Sequence, residues 1–135
     1  MVKWTEQKLV DEGYKIQNAK ITYIDLSAED HGCLTLSMAL DGSGWGCVYG
    51  GYKLGTAGTY MEEEALCGSA AGLECIIRIM HTLGVDRFTK LNGKYIRVAT
   101  KGWGSSISII GDIINDEWFD QKSFFEDFKQ STGAQ

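Results

Sequence analysis

The residues best suited to chemistry are a histidine and its neighbours in the segment AEDHGC, which runs from Ala28 to Cys33. A carboxylate beside an imidazole can orient it for acid–base catalysis, so Asp30 and His31 form one candidate pair. A histidine can also activate a thiol, and His31 would share a face with Cys33 if both lay on one strand. Adjacent strand residues point to opposite faces, however, and no cysteine-hydrolase motif is present. A polar connection between two strands is the simpler interpretation.

Candidate zinc ligands are scattered along the chain without the short paired spacing of a zinc site, and there is no CxxC motif. We therefore predict no metal site and no cofactor. The candidate donors are His31, Cys33, Cys47, Cys67, Cys75 and His81.

The glycine-rich segment DGSGWG, residues 41–46, raises the question of a phosphate-binding loop. Such loops lead from a strand into a helix, whose first amides face the anion, and they often end in GKS or GKT. Here the alternating segments CLTLSMAL and GCVYGGYKL lie on either side, and no such ending follows. The pattern predicts the turn of a β-hairpin, with a bulge or bend at Gly50 and Gly51.

Two tryptophans, Trp45 and Trp103, each stand between glycines at a predicted hairpin turn. A tryptophan exposed at a turn can supply a large contact area at low conformational cost. It can equally fold back over its own hairpin. The sequence leaves both alternatives open.

The elements that position these residues follow from hydrophobic periodicity. A short helix near residues 4–11, capped by Thr5, precedes three strands. A helix then begins after Ser69 and ends at Gly84, followed by two strands and a last helix capped by Asp120. The order β-β-β-α-β-β-α predicts an α+β protein with a five-stranded antiparallel sheet packed on one central helix, and an oligonucleotide-binding (OB-like) barrel is the alternative. The core-facing residues predicted for the two long helices are Leu73, Ile76, Ile77, Met80, Leu83, Phe124, Phe125 and Phe128.

Composition and charge exclude several classes of protein. The 135 residues fit one domain, 1–135, and carry a net charge of −5 that is concentrated after Gly111. This charge argues against direct nucleic-acid binding, which needs a basic surface. No apolar run approaches the roughly 20 residues of a membrane-spanning helix, and no signal peptide is evident. We expect a cytoplasmic protein with reduced cysteines.

Four segments of the chain carry a resemblance to a known family: EDHGCLTLSMALDGSGWGCVYGGYKLG, GLECIIRIMHTLGVDRF, LNGKYIRV and DEWFDQKSFFEDF. In these segments the sequence resembles small bacteriophage and prophage proteins that lack a catalytic motif. Where this chain has GWGCVYGG, the relatives have a plainer run of glycine, glutamine and phenylalanine, so the resemblance implies no role for Cys47 or Tyr49. It does imply an inhibitor of a bacterial defence system, acting in the host cytoplasm.

The leading hypothesis is thus a non-enzymatic phage inhibitor, with an anti-CRISPR protein as the main case, that binds a basic surface of a nuclease effector. A small-ligand sponge that captures a nucleotide signal is the alternative, and an enzyme using His31 with Asp30 or Cys33 is the least favoured. Either binding protein could act as a homodimer. The partner-binding candidates are Trp45, Trp103, Asp112, Asp116, Glu117 and Asp120, and the ligand-binding candidates are Asp30, His31, Tyr49 and Tyr52.

Overall fold

Seven strands in one sheet, with three α-helices, make up the computed structural model, which describes residues 3–30, 33–57, 66–102 and 104–131. A 3₁₀ helix, Phe88–Leu91, precedes the fifth strand. In chain order the other elements are α1 (Glu6–Asp11), β1 (Lys15–Asp30), β2 (Cys33–Gly42), β3 (Trp45–Ala57), β4 (Leu66–Gly68), α2 (Ala70–Thr82), β5 (Tyr95–Thr100), β6 (Ile109–Gly111), β7 (Trp118–Asp120) and α3 (Gln121–Ser131).

The sheet is antiparallel throughout, with the strand order β4-β3-β2-β1-β5-β6-β7. The α+β class and the antiparallel sheet are therefore confirmed. The count of five strands was too low, because β4 and β7 have only three residues each and carry too little periodicity to be recognised. These two strands are the edges of an open sheet, and no pairing between them closes a barrel within the described ranges.

Although open, the sheet is strongly curled. Strands β2, β1 and β5 lie between β3 and β6, which in a flat sheet would separate β3 from β6 by roughly 19 Å at the usual strand spacing. Yet the hydroxyl of Tyr49 on β3 donates to the carbonyl oxygen of Ser108, just before β6, at 3.0 Å. A tyrosine can make this bond only if the sheet bends toward its own concave face.

The concave face holds the main core. Side chains from β1, β2, β3 and β5 meet α2 and α3 there, with Ile21, Met38, Ile79 and Ile96 fully buried. A smaller cluster lies on the convex face, where Leu9 of α1 packs on Ala99 and Ile109. Helix α1 therefore covers the β5–β6 end of the convex face.

Helix α2 begins where predicted but turns a different face to the core. The Ser69 hydroxyl accepts the Gly72 amide at 2.9 Å, which confirms the cap. A Cβ on Gly72 would lie 2.4 Å from the Leu54 carbonyl oxygen, so this glycine lets the helix approach β3 closely. The face through Gly72, Cys75 and Ile79 is buried as a result. The predicted face was wrong at Leu73 and Ile77, which are 64% and 49% exposed.

The other predicted helix ends agree with the structure. Thr5 accepts the Lys8 amide at 3.1 Å at the start of α1. Gly84, with φ of 71°, follows α2, and the Val85 amide donates back to the Met80 carbonyl. Phe124 of α3 is buried, as predicted. In the described part of the chain, every helix is too short or too polar to cross a membrane.

Candidate ligand-binding cleft

A cleft of about 340 Å³ opens between the turn of the β2–β3 hairpin and the connection from β5 to β6. Antiparallel pairing of β1 with β5 places Lys15 opposite Thr100 and Gln17 opposite Val98 at this end of the sheet. Because Val98 is buried in the main core, Gln17 points to the concave side. Lys15, two residues earlier on the strand, shares that side. The cleft is thus a polar extension of the concave face.

The two walls of the cleft come from the β2–β3 turn and from the connection between β5 and β6. The hairpin side contributes residues 43–47, and the opposite side contributes Gly102, Gly104, Ser105 and Ile107. The turn prediction for DGSGWG is confirmed, since Gly42 pairs with Trp45 across a two-residue turn. Trp103 lies outside the described residues, although both of its glycine neighbours line the cleft. The pairing of distant strands therefore brings the β2–β3 turn to the same site as Gly102 and Gly104.

Trp45 is not exposed at the turn. Its indole folds back on the hairpin, so that a Cβ on Gly42 would lie 2.0 Å from the indole Cε2. The side chain packs against the main core and is half-buried. Its Nε1 is buried and has no hydrogen-bond partner among the described residues. Trp45 is therefore a wall of the cleft, and of the two alternatives the folded-back position is the one observed.

The cleft combines one positive charge with several neutral polar groups. Lys15 is the one charged side chain among its described lining residues, and no carboxylate is present there. Gln17 adds an amide, and Ser43, Thr100 and Ser105 add hydroxyl groups. The Thr100 hydroxyl also accepts the Gly102 amide at 3.2 Å, which holds the start of the β5–β6 connection. This set of donors suits an anionic or hydroxyl-rich ligand.

The thiols of Cys47 and Cys75 do not have the properties of nucleophiles. Burial raises the pKa of the Cys47 thiol, which lines the cleft, and raises the pKa of Cys75 in the core to about 12. Both groups are therefore protonated at neutral pH, whereas a nucleophilic cysteine needs a thiolate. Within the described ranges, no three histidine, cysteine, aspartate or glutamate residues lie together in a way that could hold a metal ion. His31 lies outside those ranges.

Two of the predicted acidic partner-binding residues organise the loop 112–117. Asp112 is buried, and its Oδ2 accepts the amides of Ile114 and Asn115 at 3.0 and 2.7 Å. The Oδ1 of Asp116 accepts the Trp118 indole N–H at 2.6 Å and the Glu6 amide at 2.7 Å. These carboxylates fix the loop and attach α1 to it.

A third predicted acid, Asp120, caps α3. Its Oδ1 accepts the Ser123 amide at 3.3 Å and the Ser108 hydroxyl. Its Oδ2 accepts the Trp4 indole N–H at 3.3 Å. Glu117 is exposed. Of the four predicted acids, three therefore make hydrogen bonds that hold the fold, and Asp116 and Glu117 are exposed.

The predicted ligand-binding tyrosines lie apart from the cleft. Tyr49 is fully buried, and burial raises its pKa well above the ordinary value. Tyr52 stacks on Phe125 with ring centroids 4.7 Å apart, and burial, with Glu126 and then Asp120 adding to it, raises its pKa. The side chains of Asp30 and His31 lie outside what the structure describes.

Sequence reasoning missed Lys15, Gln17, Thr100 and Ser105, which line the cleft. One signal was available: Lys15 and Gln17 continue the side of β1 on which Ala19 and Ile21 are buried. Polar residues at the first inward-facing positions of a strand, followed by apolar ones, indicate that the core is open to solvent at that end.

The molecule is thus an α+β protein with an open, curled antiparallel sheet and a polar cleft at one end of its concave face. Comparison of the chain with protein-family models, curated proteins and solved structures gives no match.

Proposed function

We propose that the protein is a non-enzymatic binding protein whose cleft takes a small anionic ligand of the nucleotide-signal type. The charge of the cleft supports this proposal. Lys15 stands without a lining carboxylate in a chain whose net charge is −5, so the cleft has the opposite sign to the molecule as a whole. A lysine in a partly enclosed site attracts anions more strongly than one in open water.

The size and composition of the cleft also favour a small ligand. Its volume of about 340 Å³ lies at the low end of the roughly 300–1,000 Å³ found for ligand pockets. The ring of Trp45 offers a flat apolar wall, and Gly44, Gly102 and Gly104 line the cleft without placing side chains in it. The titratable groups in the described lining are Lys15 and the protonated thiol of Cys47, which favours binding over catalysis.

Thermal unfolding with a panel of nucleoside monophosphates, cyclic nucleotides and ADP-ribose derivatives tests this proposal. A ligand at about 100 times its Kd stabilises by roughly 2.7 kcal/mol, which corresponds to a Tm increase on the order of 8 °C for a domain of this size. We expect Lys15→Gln to remove the increase. Lys53→Gln, at an exposed lysine of β3 away from the cleft, is the matched control. Absence of a shift across the panel would reject the proposal.

The loop 112–117 supports a second candidate function, the inhibition of a bacterial defence effector. Ile114 is 82% exposed on this loop, and Glu117 is exposed beside it. The loop is held by the Asp112 and Asp116 bonds described above, so a partner would not have to order it. We propose that Ile114 and Glu117 are the contacts to an effector surface that is basic around an apolar pocket, as on a CRISPR nuclease.

Inhibition of DNA cleavage by a panel of CRISPR nucleases tests the second candidate. We expect Ile114→Ser and Glu117→Lys to weaken inhibition, and added salt to weaken it further. Leu73→Ser, at an exposed leucine on α2, is the control for loss of an apolar surface residue. If Ile114→Ser and Glu117→Lys inhibit as well as the unmodified protein, the loop is not the contact.

A further inference from the structure

Among the residues that the structure describes, no strand neighbours most of one edge of β3. Strand β4 pairs only with residues Gly55, Thr56 and Ala57. Gly42 and Trp45 pair across the two-residue turn. In such hairpins the pair next to the turn is hydrogen-bonded, and along the strand every second residue bonds to the partner strand while the residues between face outward. Gly46 and Val48 therefore direct their N–H and C=O groups away from β2. No described backbone group pairs with them on that side.

An apolar row crosses the convex face and ends at this edge. Tyr23 on β1 pairs with Ala39 on β2, and Ala39 pairs with Val48 on β3. Tyr23 is 61% exposed and Val48 is 69% exposed. Helix α1 packs on the other end of the convex face, around Leu9, and leaves this row uncovered.

The edge lacks the features that usually prevent strand addition. Proteins protect exposed edges with charged residues, proline or very short strands. Residues 45–51 contain no charged residue and no proline, whereas the outermost strands β4 and β7 have three residues each. The positive φ angles at Gly50 and Gly51, 115° and 89°, limit the regular stretch to residues 45–49.

We propose that this edge pairs with the same edge of a second copy of the chain, antiparallel and about a two-fold axis at Val48. A strand paired with its own copy about such an axis is self-complementary, so the open N–H and C=O groups of Val48 meet those of Val48 in the second copy. On either side of this pair, Cys47 lies opposite Tyr49. Two β-branched side chains then face each other at the axis, and Gly46, the preceding residue on the same face, carries no side chain. The apolar row continues unbroken from one sheet into the other.

Analytical ultracentrifugation over a range of concentrations tests this inference directly. We expect a reversible dimer of the unmodified protein, and a monomer for Val48→Glu, in which two carboxylates would meet at the axis. Ile114→Glu, at an exposed apolar residue far from the edge, is the control and should still form the dimer. Circular dichroism and the Tm of each variant establish that the fold is retained.

Cross-linking separates this arrangement from other dimers. Residues directly opposite each other in a hydrogen-bonded antiparallel pair have Cα atoms about 5.5 Å apart, which is within the range of a disulfide. Val48→Cys should therefore give a covalent dimer under mild oxidation, beyond any background from the native cysteines. Ile114→Cys should not. A protein that is monomeric at every concentration, or a dimer that survives Val48→Glu and is not trapped by Val48→Cys, would overturn the inference.

Discussion

Arg97 of β5 and Glu6 of α1 form an ion pair of 2.6 Å that joins the helix to the convex face of the sheet. The arginine side chain is only 13% exposed, and the glutamate is 57% exposed. The same guanidinium donates to the carbonyl oxygens of Asp112 and Asn115 at 2.7 and 2.9 Å and lies 4.7 Å above the Trp118 ring. One side chain thus connects α1, β5 and the loop 112–117.

Loss of this arginine should cost more stability than loss of its ionic partner. Arg97→Ala leaves two loop carbonyls without their donor, and we expect a decrease of about 2–3 kcal/mol in the free energy of unfolding. Glu6→Gln removes only the exposed part of the ion pair, and we expect about 1 kcal/mol or less. Urea denaturation of both variants measures the difference. Equal losses would mean that the carbonyl contacts contribute little.

The cap of α3 provides a test of what the acidic residues do. Asp120→Ala removes an N-cap and the acceptor of the Ser108 hydroxyl, so we expect a loss of about 1–2 kcal/mol. Glu117→Ala changes an exposed carboxylate in the same region and should stay within about 0.5 kcal/mol. Denaturation at fixed pH and salt compares the two. If Glu117→Ala lost as much stability as Asp120→Ala, the distinction between acids that hold the fold and acids that are only exposed would be wrong.

The contact between Gly42 and Trp45 should tolerate no added methyl group. In Gly42→Ala the new Cβ would lie 2.0 Å from the indole, so the ring must move away from the hairpin. We expect a loss of about 1–3 kcal/mol and a red shift of tryptophan fluorescence as the ring becomes more exposed. Gly68→Ala, where a Cβ would contact nothing within 4 Å, is the control. An unchanged spectrum in Gly42→Ala would show that the ring lies elsewhere.

Features set by neighbouring residues could be predicted from the sequence, and features set by distant ones could not. The caps at Thr5, Ser69 and Asp120 each depend on residues three positions away, and all three are present. The hairpin turn before Trp45 follows from glycine positions and strand alternation in the same way.

The cleft and the curl of the sheet depend instead on contacts between remote segments. Lys15 meets Thr100 only because β1 pairs with β5, and the curl depends on the bond between Tyr49 and Ser108. The buried face of α2 was misassigned because its orientation follows from the close approach of Gly72 to Leu54. Hydrophobic periodicity assigns the large apolar residues Leu73 and Ile77 to the buried face. It cannot predict that a glycine forms the closest contact of the helix with the sheet.

The buried hydroxyl of Tyr49 should make stability depend on alkaline pH. Burial raises the pKa of Tyr49 well above its ordinary value of 10.0, so the unfolded chain loses this proton at lower pH than the folded protein does. The contribution of protonated Tyr49 to the free energy of unfolding is fully present below pH 10, and it is lost as the pH rises toward the pKa of Tyr49 in the folded protein. Tyr49→Phe removes this titration. At pH 7 the variant should lose only about 1 kcal/mol, because the Ser108 carbonyl keeps the Gln121 amide as a second donor at 3.1 Å. Urea denaturation from pH 7 to pH 11 should therefore give stability curves for the two proteins that converge above pH 10, and parallel curves would contradict the assignment.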